Sequence, residues 1–300
     1  MNIKKLKNTI LSAAALLLSS VIPLQAATTA DILFVVDESG SMAGEHAWIG
    51  SMVTALDSAL IGAGVTGNRY GLVGYGKSGL GIDGRKLAVG GGDFGTAAEL
   101  STASGTLVTS GSTEDGYAGI DVALNDYALR AGAAVNVILI TDENRDILSG
   151  STNTYASILS LLQSKNALLN AVVDVNFSSD TTSNALGIDG TDAYFEAAAG
   201  TYTSETCSNS ADAPNSRNNG SIADYVNLAL ASGGAAWDLK NLRAGGNTAD
   251  AFTAAFVDIK VAEIIVQPPA EVPVPAAAFL FAPALLGFLG LRRKAKNSLA

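Results

Sequence analysis

The chain has 300 residues, 48% hydrophobic but only 6% aromatic, with 32 glycines, which predicts an aliphatic core and many tight turns. Its formal charge is −10, and setting aside Lys4, Lys5, Lys7, Arg292, Arg293, Lys294, Lys296 and Glu271 at the ends leaves 11 basic against 27 acidic residues in 27–270, a net of −16; such a surface repels phosphate backbones and excludes nucleic acid as a partner. The single cysteine, Cys207, cannot close an internal disulfide, and the single histidine, His46, rules out a zinc site of several His or Cys ligands and has no nucleophile-elbow motif beside it for a Ser-His-Asp triad.

Residues 1–26 open with three lysines, continue in an apolar run over 10–18 and close on Leu24-Gln25-Ala26. That is the order of a secretory signal, with cleavage expected near Ala26, and the run is too short to cross about 30 Å of hydrocarbon as a lasting anchor. Residues 31–36, Asp-Ile-Leu-Phe-Val-Val, form the continuous apolar run of a parallel strand buried on both faces. The strand ends at Asp37-Glu38-Ser39-Gly40-Ser41. A helix is predicted over 47–60, where Ile49, Met52, Val53, Leu56 and Leu60 recur at helical spacing. Strands follow over 70–75 and, as a short edge, 87–89, then helices over 96–101 and 115–130. Another continuous apolar strand, 135–140, ends at Thr141-Asp142; a helix over 155–165 and a strand over 168–175 come next. Residues 178–221 read as a polar insertion rich in Ser, Asn, Asp and Gly, with a short helix over 193–199. A helix over 223–231, a strand over 235–239 and a closing helix over 249–259 complete a domain spanning 27–265.

Strands alternating with helices predict βαβ crossovers and an α/β fold: a doubly wound, mostly parallel sheet flanked by helices, with ligands bound at the carboxyl ends of its strands. Two sequence signals are set aside. Gly62-Ala63-Gly64-Val65-Thr66-Gly67 fits a dinucleotide-binding string but follows a helix and precedes a strand, the reverse of the required context. Asp189-Gly190-Thr191-Asp192 lacks the full spacing of a calcium loop and reads as a solvated turn.

Beyond a linker with Pro268 and Pro269, residues 272–291 carry no charge and are followed at once by Arg292-Arg293-Lys294. The length suits a transmembrane helix with its basic end in the cytoplasm. Val272-Pro273-Val274-Pro275-Ala276 at its start resembles the Val-Pro-Leu-Pro-Ala variant of the PEP-CTERM sorting tails, with Val274 as the departure. The resemblance implies, for 266–300, recognition by an exosortase-type processing enzyme, a transient anchor in the inner membrane of a Gram-negative bacterium, then a place at the cell surface or in an exopolysaccharide or biofilm matrix.

Asp37-x-Ser39-x-Ser41 puts one carboxylate and two hydroxyls on a tight strand-to-helix loop, with Gly40 permitting the turn. Gly111-Ser112-Thr113 offers the Thr113 hydroxyl from a second loop, and Asp142 a second carboxylate from a third. A hard cation such as Mg²⁺ takes about six oxygens in near-octahedral geometry and keeps some waters. In order, spacing and strand context these residues resemble the metal-ion-dependent adhesion site of von Willebrand factor A (vWA) domains, across about 31–262. Gly233-Gly234-Ala235-Ala236-Trp237 before a final helix also looks like that family, whereas Glu143 stands where members often carry Gly. The resemblance implies Mg²⁺, with Mn²⁺ or Ca²⁺ as substitutes, held by Asp37, Ser39, Ser41, Thr113 and Asp142. Two carboxylates leave the dication under-neutralised, so an acidic protein or polysaccharide ligand can complete its shell. The expectation is therefore a binding protein, not an enzyme. The competing reading is a structural matrix protein whose metal site only stabilises the fold.

Overall fold

The computed structural model describes residues 27–76, 84–147, 149–206, 208, 210–212 and 219–268; the expected leader, Cys207 and the apolar stretch 272–291 lie outside these. In chain order the strands are β1 (Ala30–Asp37), β2 (Arg69–Tyr75), β3 (Arg85–Leu87), β4 (Ala134–Thr141), β5 (Ala167–Val173), β6 (Asn176–Ser178), β7 (Ser183–Ala185), β8 (Gly187–Ile188), β9 (Asp192–Glu196), β10 (Tyr202–Thr206), β11 (Ser210–Asp212) and β12 (Ala236–Asp238). The helices are α1 (Ala43–Gly62), α2 (Ala97–Ser104), α3 (Gly116–Asn125), α4 (Tyr155–Ser164), α5 (Asn227–Ser232), α6 (Leu239–Arg243) and α7 (Gly246–Val266); a single helical turn, Asn219–Ser221, and a π-helical stretch, Ile222–Val226, lead into α5.

Nine strands form one sheet in the order β10-β9-β8-β12-β5-β4-β1-β2-β3. The five from β12 to β2 run parallel, with β1 at register Asp31↔Val135 on β4 and Asp31↔Arg69 on β2. β3 is antiparallel at one edge, and β8, β9 and β10 extend the other edge antiparallel. β1 and β4 are buried along their whole length, as their apolar runs 32–36 and 137–140 require when helices cover both faces; Asp31 and Asn136 are buried polar exceptions. Side chains alternate between two cores. Ile32, Phe34 and Val36 of β1 pack with Leu56 of α1, Leu100 of α2 and Phe252 and Phe256 of α7. Leu33 and Val35 pack on the opposite face with Ile120 of α3, Leu162 of α4 and Leu228 of α5. The result is a three-layer α/β sandwich. Thr96 with Glu99 and Thr154 with Ser157 form reciprocal caps that start α2 and α4.

Two expected helices are corrected. The helix over 193–199 is instead strand β9, because Tyr194 stacks on Trp237 (5.6 Å, 13° between rings) while the backbone pairs with β8 and β10. Packing overrides the helical leaning of the alanines, and only a single 3₁₀ turn, Ala198–Gly200, remains. The helix over 115–130 stops at Asn125. The chain then turns so that Tyr127 donates to Leu72 O (2.7 Å) and Arg130 reaches the buried carboxylate of Asp31, which also takes Arg69. The polar insertion supplies β7 to β11, of which β7 and β11 flank β6 in a small antiparallel sheet, β11-β6-β7. Gly64 and Gly67 lie at φ +87° and +67° in the turn after α1, and Asp189 closes its turn by accepting from the amides of Thr191 and Asp192. No helix among the described residues is long and apolar enough to cross a membrane.

Candidate metal centre

Parallel strands deliver the site. β1 ends at Asp37 and β4 at Thr141, so the loops after both strands open on the same carboxyl edge of the sheet. Asp37 is fully buried. Its Oδ1 accepts from Ser39 N (2.7 Å) and its Oδ2 from Thr141 Oγ1 (2.8 Å). Ser39 Oγ and Ser41 Oγ lie 3.2 Å apart, and Ser41 Oγ donates to Asp142 Oδ1 (3.0 Å). Asp37, Ser39, Ser41 and Asp142 are thus brought into one connected set of oxygens.

The second loop docks through its backbone. Gly111 N donates to Glu38 O (2.9 Å) and Ser112 N to Gly76 O (2.8 Å). The approach requires glycine at 111, since a methyl there would land on the Gly76 carbonyl oxygen. Gly76, at φ +86°, lies between the Asp37 carboxylate and Thr113: a Cβ on it would be 3.4 Å from Asp37 Oδ1 and 3.7 Å from Thr113 O. The half-buried Thr113 thus brings its backbone toward Asp37 from the other side of Gly76. Loops two and three are tied by Asp146 N to Glu114 O (2.8 Å) and by Arg145, which grips the Asp115 carboxylate at 2.6 and 3.1 Å.

The electrostatics are those of concentrated negative charge. Burial, and secondarily the charge of Asp142, pushes the Asp37 carboxyl up to about 6, against hydrogen bonds from Ser39 and Thr141 that lower it. Burial first, then the charges of Asp37, Asp146 and Glu143, pushes Glu114 up to about 8. A cation held there would relieve both. No cluster of three or more His, Cys, Asp or Glu side chains poised for a metal occurs among the described residues; two carboxylates with two or three hydroxyls form a different donor set, all oxygen, which fits a hard dication. In that set Asp37, Ser39, Ser41, Thr113 and Asp142 would hold the ion, which when bound would present an electrophilic point to an incoming carboxylate.

Four further residues shape this edge without forming part of the motif. His46 Nε2–H donates to Asp37 O (2.9 Å), pinning the loop from the first turn of α1. Glu38, fully buried, takes Arg85 at 3.0 and 2.5 Å and Val108 N at 2.9 Å. Glu114 is the buried acid described above. Arg243 of α6 places its guanidinium on Asp142 Oδ2 (2.8 Å), Glu45 Oε1 (2.5 Å) and Ser41 O (3.2 Å). Glu38, adjacent to Asp37, and Glu114, adjacent to Thr113, are marked by position in sequence; Arg243 stands about a hundred residues beyond Asp142 in a helix with no motif.

No family model matches the chain, and no curated protein matches it. Among solved structures, the chain is similar to proximal thread matrix protein 1 from the mussel byssus, at 17% identity and TM-score 0.35 over 50% of this chain and 36% of that one. It is also similar to the vWF domain of the type V pili tip protein Mfa5 from Porphyromonas gingivalis, at 23% identity and TM-score 0.31 over 40% of this chain and 39% of that one. The chain spans little more than a third of either. At this distance neither likeness carries a function across, and what is established is the architecture: a mostly parallel nine-stranded sheet between helical layers, with an oxygen-rich edge where two central strands end.

Proposed function

We propose that the chain is an exported vWA-type binding protein that uses a Mg²⁺-class ion to recognise an acidic protein or polysaccharide. The observation that carries this reading is the linked set Asp37, Ser39, Ser41 and Asp142 beside the Thr113 loop, at the carboxyl edge of the sheet. Its two carboxylates leave a dication with residual positive charge. The domain's −16 net charge opposes an acidic partner at long range, so capture has to be local, through the ion. The leader and the tail with its Arg-Arg-Lys end support export, transient anchoring in the inner membrane and exosortase-type release to the surface or matrix of a Gram-negative bacterium.

A second reading is favoured by one contact. Arg243 already supplies Asp142 with a positive partner, so an ion could serve chiefly to hold three loops together in a structural matrix protein. Surface plasmon resonance against matrix fractions, with circular dichroism as the fold control, separates the two. The binding reading expects capture abolished by EDTA with the fold intact, and capture maintained or strengthened at 1 M salt, where the screening length falls to about 3 Å. Capture that survives EDTA, with only the melting temperature lowered, supports the structural role instead.

A further inference from the structure

Far from the metal edge, near the start of β4 and the last turns of α7, a lysine is buried without any exposure. Lys260 follows Phe256 and precedes Ile264 at four-residue spacing on the face of α7 that enters the core. Its Nζ donates to Asn136 Oδ1 of β4 at 2.9 Å and to Glu263 Oε2 at 2.7 Å. Asn136 is itself fully buried, and its Nδ2 donates to Gln267 Oε1 (2.8 Å). Glu263 Oε2 also takes Asn170 Nδ2 (2.8 Å), and Asn170 Oδ1 takes the Trp237 indole (3.0 Å). Glu263 Oε1 is buried with no hydrogen-bond partner.

An amine and a carboxamide, both fully buried, thus meet a carboxylate whose side chain is 11% exposed, each held by a strand or a helix. We propose that Lys260 and Asn136 condense into an intramolecular isopeptide bond, with Glu263 carrying the protons. Glu263 takes one proton from the Lys260 ammonium, and the free Nζ attacks Cγ of Asn136. Glu263 passes that proton to Nδ2 and takes the second from Nζ. The Cγ–Nδ2 bond then breaks and ammonia leaves. Amine plus carboxamide becomes secondary amide plus ammonia, with no change of oxidation state and no further reactant.

Three features favour the step. Burial lowers the affinity of Lys260 for its proton, which Glu263 partly restores, so transfer to the adjacent carboxylate costs less than it would in water. Packing on α7 and β4 replaces a bimolecular encounter with a preset one. A carboxylate within hydrogen-bond reach of the nucleophile meets the geometric requirement for a general base; to act later as the acid it must swing toward Nδ2, which in the resting arrangement donates to Gln267 Oε1. The product would staple the end of α7 to the strand that leads into Thr141 and Asp142. Tension applied at the end of α7 would then reach the metal edge through a covalent path.

Tryptic peptide mapping of the purified full chain by tandem mass spectrometry tests this. The expected result is a branched species joining peptide 131–145 to the peptide that begins at residue 244, uncut after Lys260 and lighter than its two parts by one ammonia. Glu263→Gln keeps the hydrogen-bonding shape but cannot carry protons, and should yield the unlinked peptides with cleavage after Lys260 restored. Wild-type chain with peptide 131–145 at its plain mass and cleavage after Lys260 would overturn the proposal, whether or not the variant folds. A Glu263→Gln variant linked as fully as wild type would overturn the role given to Glu263.

Discussion

Asp37→Asn should stabilise the metal-free fold at pH 8 while abolishing its response to magnesium. The buried carboxyl is pushed from the ordinary 3.8 to about 6. That rise is a penalty of about 3 kcal/mol on the ionised form, at 1.36 kcal/mol per pH unit. Between pH 3.8 and 6 the folded state binds more protons than the unfolded state, so stability falls as pH rises through that window and the whole penalty is present above it. Asparagine carries no charge and escapes it. Its carbonyl can still accept from Thr141 Oγ1, but its amide then faces Ser39 N, and the loss of that 2.7 Å bond costs about 1 kcal/mol. In EDTA the variant should therefore be more stable than wild type by roughly 2 kcal/mol at pH 8, and the two should cross near about pH 4.5, where the linkage penalty has shrunk to equal the lost bond. With magnesium at a hundred times its dissociation constant, wild type should gain about 2.7 kcal/mol and the variant nothing. Urea unfolding from pH 4.5 to 8, with EDTA or magnesium, reads all of these. A difference between the two proteins that stays constant across that range, or equal stabilisation of both by magnesium, would refute the reasoning.

Other substitutions probe the surroundings. Arg243→Ala removes a guanidinium from Asp142 Oδ2 and should tighten magnesium binding about threefold to tenfold by calorimetry, a Coulomb effect on the order of 1 kcal/mol; it should also lower the melting temperature, because buried Glu45 loses its partner. Weaker magnesium binding in that variant would contradict the placement of Arg243 as a competing cation. Gly111→Ala drives a methyl into the Gly76 carbonyl and should weaken magnesium affinity at least about tenfold, on the scale of lost positioning groups, with far-ultraviolet circular dichroism unchanged; unaltered affinity would remove the Thr113 loop from the site. Asp31→Ala strips the shared acceptor from Arg69 and Arg130 and should cost about 3 kcal/mol in urea unfolding; a loss below about 1 kcal/mol would show that the two arginines find water instead.

The central parallel strands were legible because both faces of each had to be apolar. Residues 32–36 and 137–140 carry that constraint without a break, and the structure extends each strand beyond them, burying Asp31 and Asn136 as well. Asp37 and Asp142 stood out as candidates for a related reason: a strand that stops at an aspartate on the carboxyl edge puts that aspartate where ligands bind. Other features were not. The stretch 193–199 is alanine-rich and looks helical, yet Trp237, some forty residues later, supplies the surface on which Tyr194 stacks and β9 pairs. Arg130 reads as the end of a helix until Asp31, a hundred residues earlier, needs its charge.

What the sequence determined by itself is therefore the periodic and local content: two doubly buried strands, the helices between them, a tight Asp-x-Ser-x-Ser loop, and an excess of negative charge. These follow from the spacing of neighbours along the chain. Only the tertiary structure decided that Arg243 sits on Asp142, that Glu114 is buried against Asp37, and that Lys260 of the last helix faces Asn136 of the fourth strand. Each joins groups from about eighty to more than a hundred positions apart. Coulomb and hydrogen-bond energies depend on distance in space, which sequence separation does not encode until the sheet order is set.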